Sequence, residues 1–354
     1  DRGRLQAKGT AAPAAGSVRA DDGLALTLDT TGAITRIDAA GVDLGSPARQ
    51  ISGLLVRDAT TDQAPVMIGG TVQQQGDDLH QSAVLDDLGL ALEATYTSIG
   101  NAIEIAGTVT DRRGADRAVT VYLALPLAAA PWQWWDSVAQ KRSEVEPIGE
   151  FTTLEMGMEY GLHGAHSKYP LGAVSWPDHG GLSLAVRMDE PVVHRVGFNP
   201  ELHLFYLAMD FGLVPEQASD GRSLATAPFR FLLYRHDPAW GFRDALKRYY
   251  DLFPDFFVRR CRREGGWFVW GAMADVPGVL DAGFGFHWGP SGPEAVKWDN
   301  AHNVLALYYI EPETYQQTME DFDRQPTTDE VLARLRKIAQ GDATELQTVA
   351  SQPY

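Results

Sequence analysis

Cysteine is almost absent from the sequence, which has one, Cys261, among 354 residues. A single thiol excludes an internal disulfide and any zinc site built from several thiolates. Arginines flank Cys261 on both sides and would favour its thiolate, but a half-buried thiol without chemistry is the simpler expectation. Cysteine therefore indicates neither a redox function nor a metal site.

Basic residues are also scarce, since 30 Lys and Arg face 47 Asp and Glu and leave a net charge of −17. A surface that binds nucleic acid or an anionic membrane needs an excess of Lys and Arg. No apolar run reaches the roughly 20 residues of a membrane-spanning helix. We therefore expect neither nucleic acid nor membrane among the partners, and a neutral substrate fits the composition better.

Several motifs are missing as well. The sequence contains no Gly-x-Gly-x-x-Gly fingerprint, no P-loop, no Gly-x-Ser-x-Gly elbow and no His-Glu-x-x-His pair. We therefore expect no nucleotide cofactor, no metal and no common hydrolase triad. The sequence starts at Asp1 without an initiator Met, which is typical of a processed product or a fragment, and an extracellular or periplasmic location is favoured.

Hydrophobic residues make up 44% of the chain, which is ample for packed cores, and the length predicts two domains. From Val18 onward, short runs alternate apolar and polar residues between Gly or Asp, the pattern of β-hairpins. Clear runs are residues 24–28, 90–96, 118–125, 202–209 and 228–234. Many such strands without a helical window predict a large antiparallel β-sandwich over residues 18–235, after a loose leader of residues 1–17.

The hydrophobic period changes after residue 235. Asp237 and Pro238 match an N-cap and a first helical position, and apolar residues at helical spacing predict a linking helix ending near Phe253, within residues 236–263. Two apolar strands are predicted at residues 266–271 and 304–310, with a long loop between them. The residues from Thr327 to Glu330 match a capping box and predict a last helix. This alternation indicates the opening of a parallel β/α unit.

The order of parts resembles a group of glycoside hydrolases with an N-terminal β-sandwich of the galactose-mutarotase-like type, a linking helix and a (β/α)8 catalytic barrel. Residues 23–37 look like the first hairpin of such sandwiches, and residues 240–254 look like the helix that leads into the first barrel strand. The resemblance implies a multidomain fold of β plus α/β class, with the first units of a TIM barrel in residues 264–354. An eight-fold barrel needs about 250 residues, so we expect the barrel to be incomplete in this chain.

Glycoside hydrolysis uses two carboxyl groups that flank the scissile bond. Glu311 directly follows an apolar strand, and catalytic groups of barrels lie at the carboxyl ends of strands. It is therefore the first catalytic candidate, with a turn cap before Pro312 as the alternative. Asp275, on the loop after the first barrel strand, is the second candidate. A further catalytic carboxyl is expected beyond Tyr354, so whether this chain is an enzyme stays open.

Sugars present apolar ring faces to aromatic side chains and hydroxyl groups to carboxylates and histidines. The long loop and its flanks combine these residue types, and loops carry binding residues more often than strands do. Turn formation by Asp and burial of Trp are the alternatives. The candidates for substrate contact are Trp270, Asp281, His287, Trp288, Trp298, Asp299 and His302. Trp132, Trp134 and Trp135 form a second candidate platform, for which packing between the two domains is favoured.

The sequence therefore predicts a carbohydrate-active protein that takes an oligo- or polysaccharide, as part of a glycoside hydrolase acting by carboxylate acid/base catalysis. Two other classes stay open. One is a non-catalytic carbohydrate-binding β-sandwich. The other is a polysaccharide lyase, which abstracts a proton beside a uronate and needs basic residues for the substrate carboxylate. The acidic composition disfavours the lyase.

Overall fold

The computed structural model describes residues 12–46, 51–138, 145, 149–152, 155–156, 165–166, 169–308 and 324–342. The chain divides into two compact units, Asp1–Val258 and Arg259–Tyr354. The first unit is mostly antiparallel β-sheet, and the second contains parallel strands and helices. Among the described residues, no helix is both long and apolar enough to cross a membrane.

Short strands follow one another through the first unit, as the alternating pattern predicts. They are β1 (Ala14–Arg19), β2 (Leu24–Asp29), β3 (Ile34–Ala39), β4 (Val42–Asp43), β5 (Gly53–Asp58), β6 (Val66–Met67), β7 (Thr71–Gln75), β8 (Asp78–Leu85), β9 (Leu90–Ser98), β10 (Ala102–Asp111), β11 (Arg117–Pro126), β12 (Gln133–Trp135), β13 (Phe151–Thr152), β14 (Glu155–Met156), β15 (Ala165–His166), β16 (Leu171–Trp176), β17 (Gly180–Ala185), β18 (His194–Asn199), β19 (Leu204–Leu213) and β20 (Thr226–His236). The prediction of an all-β first domain is confirmed.

Two large sheets build a β-sandwich. One has eight strands in the order β12-β16-β17-β20-β10-β9-β8-β7, and the other has six in the order β13-β18-β19-β11-β5-β6. Neighbouring strands in both sheets pair antiparallel. Successive side chains of a strand point to opposite faces, so alternate residues fill the space between the sheets. In β11, for example, Val119, Val121 and Leu123 are fully buried in the core, together with Phe205 from the neighbouring strand β19 and Phe231 from β20 of the other sheet.

A four-stranded sheet in the order β1-β2-β3-β4 and a two-stranded sheet of β14 and β15 also belong to the first unit. The first strand of the four-stranded sheet begins at Ala14, inside the segment 1–17 that was expected to be loose. The small residues of β1 carry little hydrophobic signal, but Ser17 pairs with Thr27 of β2, and Val18 is fully buried in the core. Antiparallel pairing therefore extends the ordered sandwich further toward the N-terminus than local pattern indicates.

The linking helix is shorter than predicted. It is α1 (Phe242–Leu252), followed by a 3₁₀ helix at Pro254–Phe257, and the predicted start at Asp237 was wrong. Asp237 instead forms a turn, because its Oδ1 accepts from the backbone N–H of Ala239 at 2.9 Å. The helix begins after Gly241, whose φ of 50° is left-handed. Tyr249 of α1 is buried and its hydroxyl donates to the carbonyl of Val186 at 2.9 Å, which holds the helix to the sandwich.

The second unit begins with the β/α pattern that the sequence indicates. Strands β21 (Gly266–Val269), β22 (Phe284–Trp288) and β23 (Leu305–Leu307) form a sheet in that order with parallel pairing. Two helices, α2 (Pro293–Ala301) and α3 (Thr328–Ala339), and 3₁₀ helices at Met273–Asp275 and Val279–Ala282 complete its described elements. The predicted capping box of α3 is confirmed by reciprocal bonds between Thr327 and Glu330.

The prediction of one long loop between the two apolar strands was wrong, because that segment contains β22 and α2. The aromatic residues of β22 favour a strand, but the segment is only five residues long, contains Gly285 and is bounded by Gly283 and Gly289 with positive φ, so its local pattern resembles a loop. The helix α2 buries only Asp299 and so lacks an apolar stripe. Three parallel strands are the extent of the β/α pattern in the described residues, so the barrel stays a proposal.

Candidate functional site

One face of the parallel sheet carries large apolar side chains that are open to solvent. Strand register forms two rows across the sheet, the first of Trp267, Phe286 and Leu305 and the second of Val269, Trp288 and Leu307. Trp267 is 55% exposed, and its ring stacks on that of Phe286 with 5.2 Å between centroids. Exposed apolar patches mark ligand or partner sites. Sequence reasoning did not single out Phe286, although it lies two residues from Trp288 and therefore on the same face.

Trp270 stands at the carboxyl end of β21, beside the end of β22. Its φ of 60° is left-handed, which costs a residue other than glycine about 1–3 kcal/mol and is found most often at functional sites. Its backbone N–H donates to the carbonyl of Trp288 at 2.8 Å, and the two rings lie 5.2 Å apart. A Cβ on Gly289 would come within 2.3 Å of the Trp270 ring, so glycine is required there. We call these two indoles the tryptophan pair.

The opposite face of the sheet is covered and contains a buried polar pair. His287 of β22 and Asp299 of α2 have fully buried side chains, with 2.8 Å between Nδ1 and Oδ2. The other polar atoms, Nε2 of His287 and Oδ1 of Asp299, are buried without a hydrogen-bond partner. The predicted loop position of both residues is corrected, since one is on a strand and the other on a helix. The pair joins β22 to α2 and is closed to solvent.

The candidate acids have different positions. Asp275 and Asp281 are exposed and belong to the two 3₁₀ helices of the connection between β21 and β22. This connection leaves the carboxyl end of β21, the edge on which Trp270 stands. Glu311 lies outside the described residues. Within the described ranges, no three His, Cys, Asp or Glu side chains come together to hold a metal ion.

Trp298 and His302 are not loop residues in the sense predicted. Trp298 lies on α2 and is half-buried against the small core of Met273, Val279 and Val304. His302 is the C-cap of α2, and its ring stacks on that of Trp298 with 4.0 Å between centroids. Packing against that core explains the half-burial of Trp298, so the exposed aromatic surface depends on Trp270 and its neighbours.

Two further predictions are corrected. Trp132 and Trp134 are each 1% exposed within the sandwich core, and Trp135 donates its indole N–H to Ser175 Oγ at 2.9 Å. These tryptophans therefore pack inside the first unit and form no open platform. Cys261 is exposed rather than half-buried, as are Arg259, Arg260 and Arg262 beside it.

No family model matches this sequence, and no curated protein matches it. Among solved structures, the chain is similar to an α-galactosidase from Lactobacillus brevis, with 10% identity, 84% of this chain and 54% of that chain covered, and a TM-score of 0.48. The GH36 α-galactosidase AgaA from Geobacillus stearothermophilus gives 10% identity, 84% and 56% coverage and a TM-score of 0.47. A galactose mutarotase related enzyme from Lactobacillus acidophilus gives 9% identity, 63% and 97% coverage and a TM-score of 0.37. The chain thus spans just over half of each α-galactosidase.

Proposed function

We propose that this protein is carbohydrate-active and that the tryptophan pair is a saccharide-binding surface of a glycoside hydrolase. The observation that carries the proposal is an indole, Trp270, that is 44% exposed and held in a strained conformation at the carboxyl edge of a parallel sheet. Ligand sites of parallel β/α folds lie at this edge. An indole suits a sugar because the C–H groups on one face of a pyranose form an apolar surface that stacks on an aromatic ring.

The order of elements supports the same proposal. An antiparallel sandwich is followed by α1 and then by parallel strands, with α2 between β22 and β23. In a glycoside hydrolase with this order, the residues after the barrel strands supply the acid and the nucleophile or base. We therefore assign Glu311 and Asp275 as the carboxyls to be tested first, with Asp281 and His302 as further candidates for contact with sugar hydroxyls.

Replacing Trp270 by alanine is expected to weaken the binding of a neutral oligosaccharide about tenfold, since covering a large apolar side chain contributes about 1.5 kcal/mol or more. Trp288→Ala is expected to act in the same direction. Titration calorimetry measures the effect, with raffinose and stachyose among the first probes because both occur in complexes of the Geobacillus enzyme.

Trp240→Ala is the matched control, since Trp240 is 63% exposed and belongs to the first unit rather than to the parallel sheet. It is expected to leave the affinity unchanged. Circular dichroism checks that each variant is folded. If folded Trp270→Ala binds each sugar with the same affinity as the unaltered protein, that result contradicts the proposed surface.

A hydrolysis assay on the same sugars separates an enzyme from a binding module. In an enzyme, Glu311→Gln is expected to lose turnover and keep sugar binding, because the amide preserves shape but cannot serve as an acid or a nucleophile. Sugar binding that survives Glu311→Gln, with no turnover by this chain or a longer one, would establish the non-catalytic module instead.

A further inference from the structure

A cavity of about 700 Å³ lies on the outer face of the six-stranded sheet. It belongs entirely to the first unit and is bounded by β5, β11, β18, β19 and the loop after β5. Its lining includes Leu55, Arg57, Tyr122, Arg195 and Tyr206 from these strands, residues of that loop, and Glu150 from the segment before β13. Sites for small molecules have volumes of roughly 300–1,000 Å³, so the cavity suits a molecule of the size of a sugar.

One half of the cavity is apolar and aromatic. Leu55, Ala124 and Leu204 form a small buried cluster on the outer face of the sheet, against which Tyr122 and Tyr206 pack. The two tyrosine rings meet edge to face, with centroids 6.1 Å apart. A ligand that enters this half needs a ring or another partly apolar body to replace the water it displaces.

An ion pair that is already complete occupies the other half. Arg195 donates to both carboxylate oxygens of Asp210, and Thr120 donates to Oδ1 of Asp210 at 2.8 Å. Burial acts to raise the pKa of Asp210, but the bonds from Arg195 and Thr120, together with the nearby charge of Arg57, hold it below its ordinary value. The pair is therefore neutral as a unit and leaves little charge for a ligand.

Arg57 is the second cation of the cavity lining, and it does not belong to the ion pair of Arg195 with Asp210. It lies opposite Thr120 in the strand register and lines the same cavity. Its Nε is buried without a hydrogen-bond partner, and no carboxylate of the described residues pairs with it. A guanidinium in a half-buried site is a strong donor to a planar anion, because two parallel N–H groups match the two oxygens of a carboxylate.

Two acidic side chains of the lining restrict which other groups a ligand can carry. Glu150 accepts from the hydroxyl of Tyr206 at 2.7 Å, and Asp62 lines the loop side of the cavity. Carboxylates accept hydrogen bonds from hydroxyl groups but repel a second anion nearby. The cavity therefore favours a molecule that carries several hydroxyls and a single negative group placed at Arg57.

We propose that this cavity binds a hexuronic acid, a sugar ring with one carboxylate. Arg57 pairs with the carboxylate, Tyr122 and Tyr206 contact the ring, and Glu150 and Asp62 accept from its hydroxyls. The site is independent of the proposed saccharide surface on the parallel sheet, because every residue involved lies in the first unit. Either proposal can fail without the other.

The test compares glucuronate and galacturonate with glucose and galactose in titration calorimetry of the whole chain at low salt. The unaltered protein is expected to bind at least one uronate about tenfold or more tightly than the matching hexose, because bidentate charge-assisted bonds are much stronger than neutral ones. Added salt is expected to reduce the difference. Arg57→Gln is expected to lower the uronate affinity to that of the hexose, and Arg57→Lys to lower it in part because the fork is lost.

Arg112→Gln is the matched control, since the ion pair of Arg112 with Asp86 is exposed and not part of the cavity. Equal affinities for uronate and hexose in the unaltered protein, or an unchanged uronate affinity in Arg57→Gln, overturn the proposal. If benzoate binds as tightly as glucuronate, the assignment of the ligand as a sugar is overturned.

A second measurement is the modification of Arg57 by phenylglyoxal in the unaltered protein, read by mass spectrometry. Glucuronate but not glucose is expected to protect Arg57, and absence of protection overturns the site.

Discussion

Replacement of Arg117 by methionine is expected to lower the free energy of unfolding of the sandwich by about 3–5 kcal/mol, because it leaves buried carboxylates without their cation. Only 7% of the Arg117 side chain is exposed, and its Nη2 lies 2.9 Å from Oδ2 of Asp58 and its Nη1 3.0 Å from Oδ1 of Asp111. Nη1 also donates to the carbonyl of Leu88 at 2.9 Å. One guanidinium thus joins three chain segments at one end of the sandwich.

Urea denaturation followed by circular dichroism measures this loss. Arg112→Met is the matched control, since Arg112 pairs with Asp86 through side chains that are 48% and 88% exposed. Exposed pairs contribute about 0–1 kcal/mol, so the control is expected to remain close to the unaltered protein. Losses of equal size in the two variants would show that burial of the Arg117 network contributes nothing beyond a surface pair.

Acid is expected to destabilise the sandwich because His236 stays neutral in the folded chain. The residue is 2% exposed, and its ring lies between two hydroxyls, with Nε2 2.8 Å from Ser175 Oγ and Nδ1 2.9 Å from Ser183 Oγ. Burial, opposed in part by Asp244 and aided by Arg248, lowers the pKa of His236 from 6.5 to about 3. The unfolded chain takes up a proton near pH 6.5, whereas the folded chain does so only near pH 3. Stability is therefore complete above pH 6.5 and falls as the pH falls toward 3.

At about pH 5, the expected loss of unfolding free energy is on the order of 2 kcal/mol, since each pKa unit corresponds to about 1.36 kcal/mol. His236→Gln removes the titrating ring and keeps a polar group between the two serines. Its free energy of unfolding should therefore change less than that of the unaltered protein between about pH 7 and about pH 5, a range above the usual carboxylate pKa values. Parallel pH profiles for the two proteins would contradict this assignment.

The local pattern of apolar and polar residues was sufficient to predict most strands of the sandwich. The alternating run at residues 118–125 predicts a strand, and β11 covers Arg117–Pro126 with Val119, Val121 and Leu123 turned to the core. Period-two alternation depends only on neighbouring residues, so a strand that packs on one face shows its role without knowledge of its partners. The capping box of α3 was visible for the same reason, because its two bonds join residues three positions apart.

Other elements escaped sequence reasoning because tertiary contacts decide them. The residues before Gly241 form a turn, and the helix begins only after Gly241. A Cβ at this position would come within 2.4 Å of the ring of Trp135, which is distant in sequence. The strand β22 is paired on both sides, with β21 and β23, although the glycines within and around it resemble loop sequence. In both cases contacts with residues distant in sequence outweigh the local pattern.

The candidate site was predictable in part. Composition and loop position were enough to select Trp270 and Trp288, but they gave the same weight to His287 and Asp299, which are fully buried. Exposure depends on which face of a strand is covered, and the placement of α2 determines that. The cavity beside Arg57 was not predictable at all, because its lining comes from strands that are neighbours only in the sheet.

Hydrophobic periodicity and composition were thus sufficient to establish an acidic, strand-rich first part and a later change to β/α alternation, since both are properties of adjacent residues. Strand order, register and the covered faces follow from contacts between residues far apart in the chain, and no local pattern encodes them. Those contacts place Trp270 and Trp288 side by side at a sheet edge and bring Arg57, Tyr122 and Tyr206 around one cavity. Both proposed ligand sites therefore arise from pairing across strands.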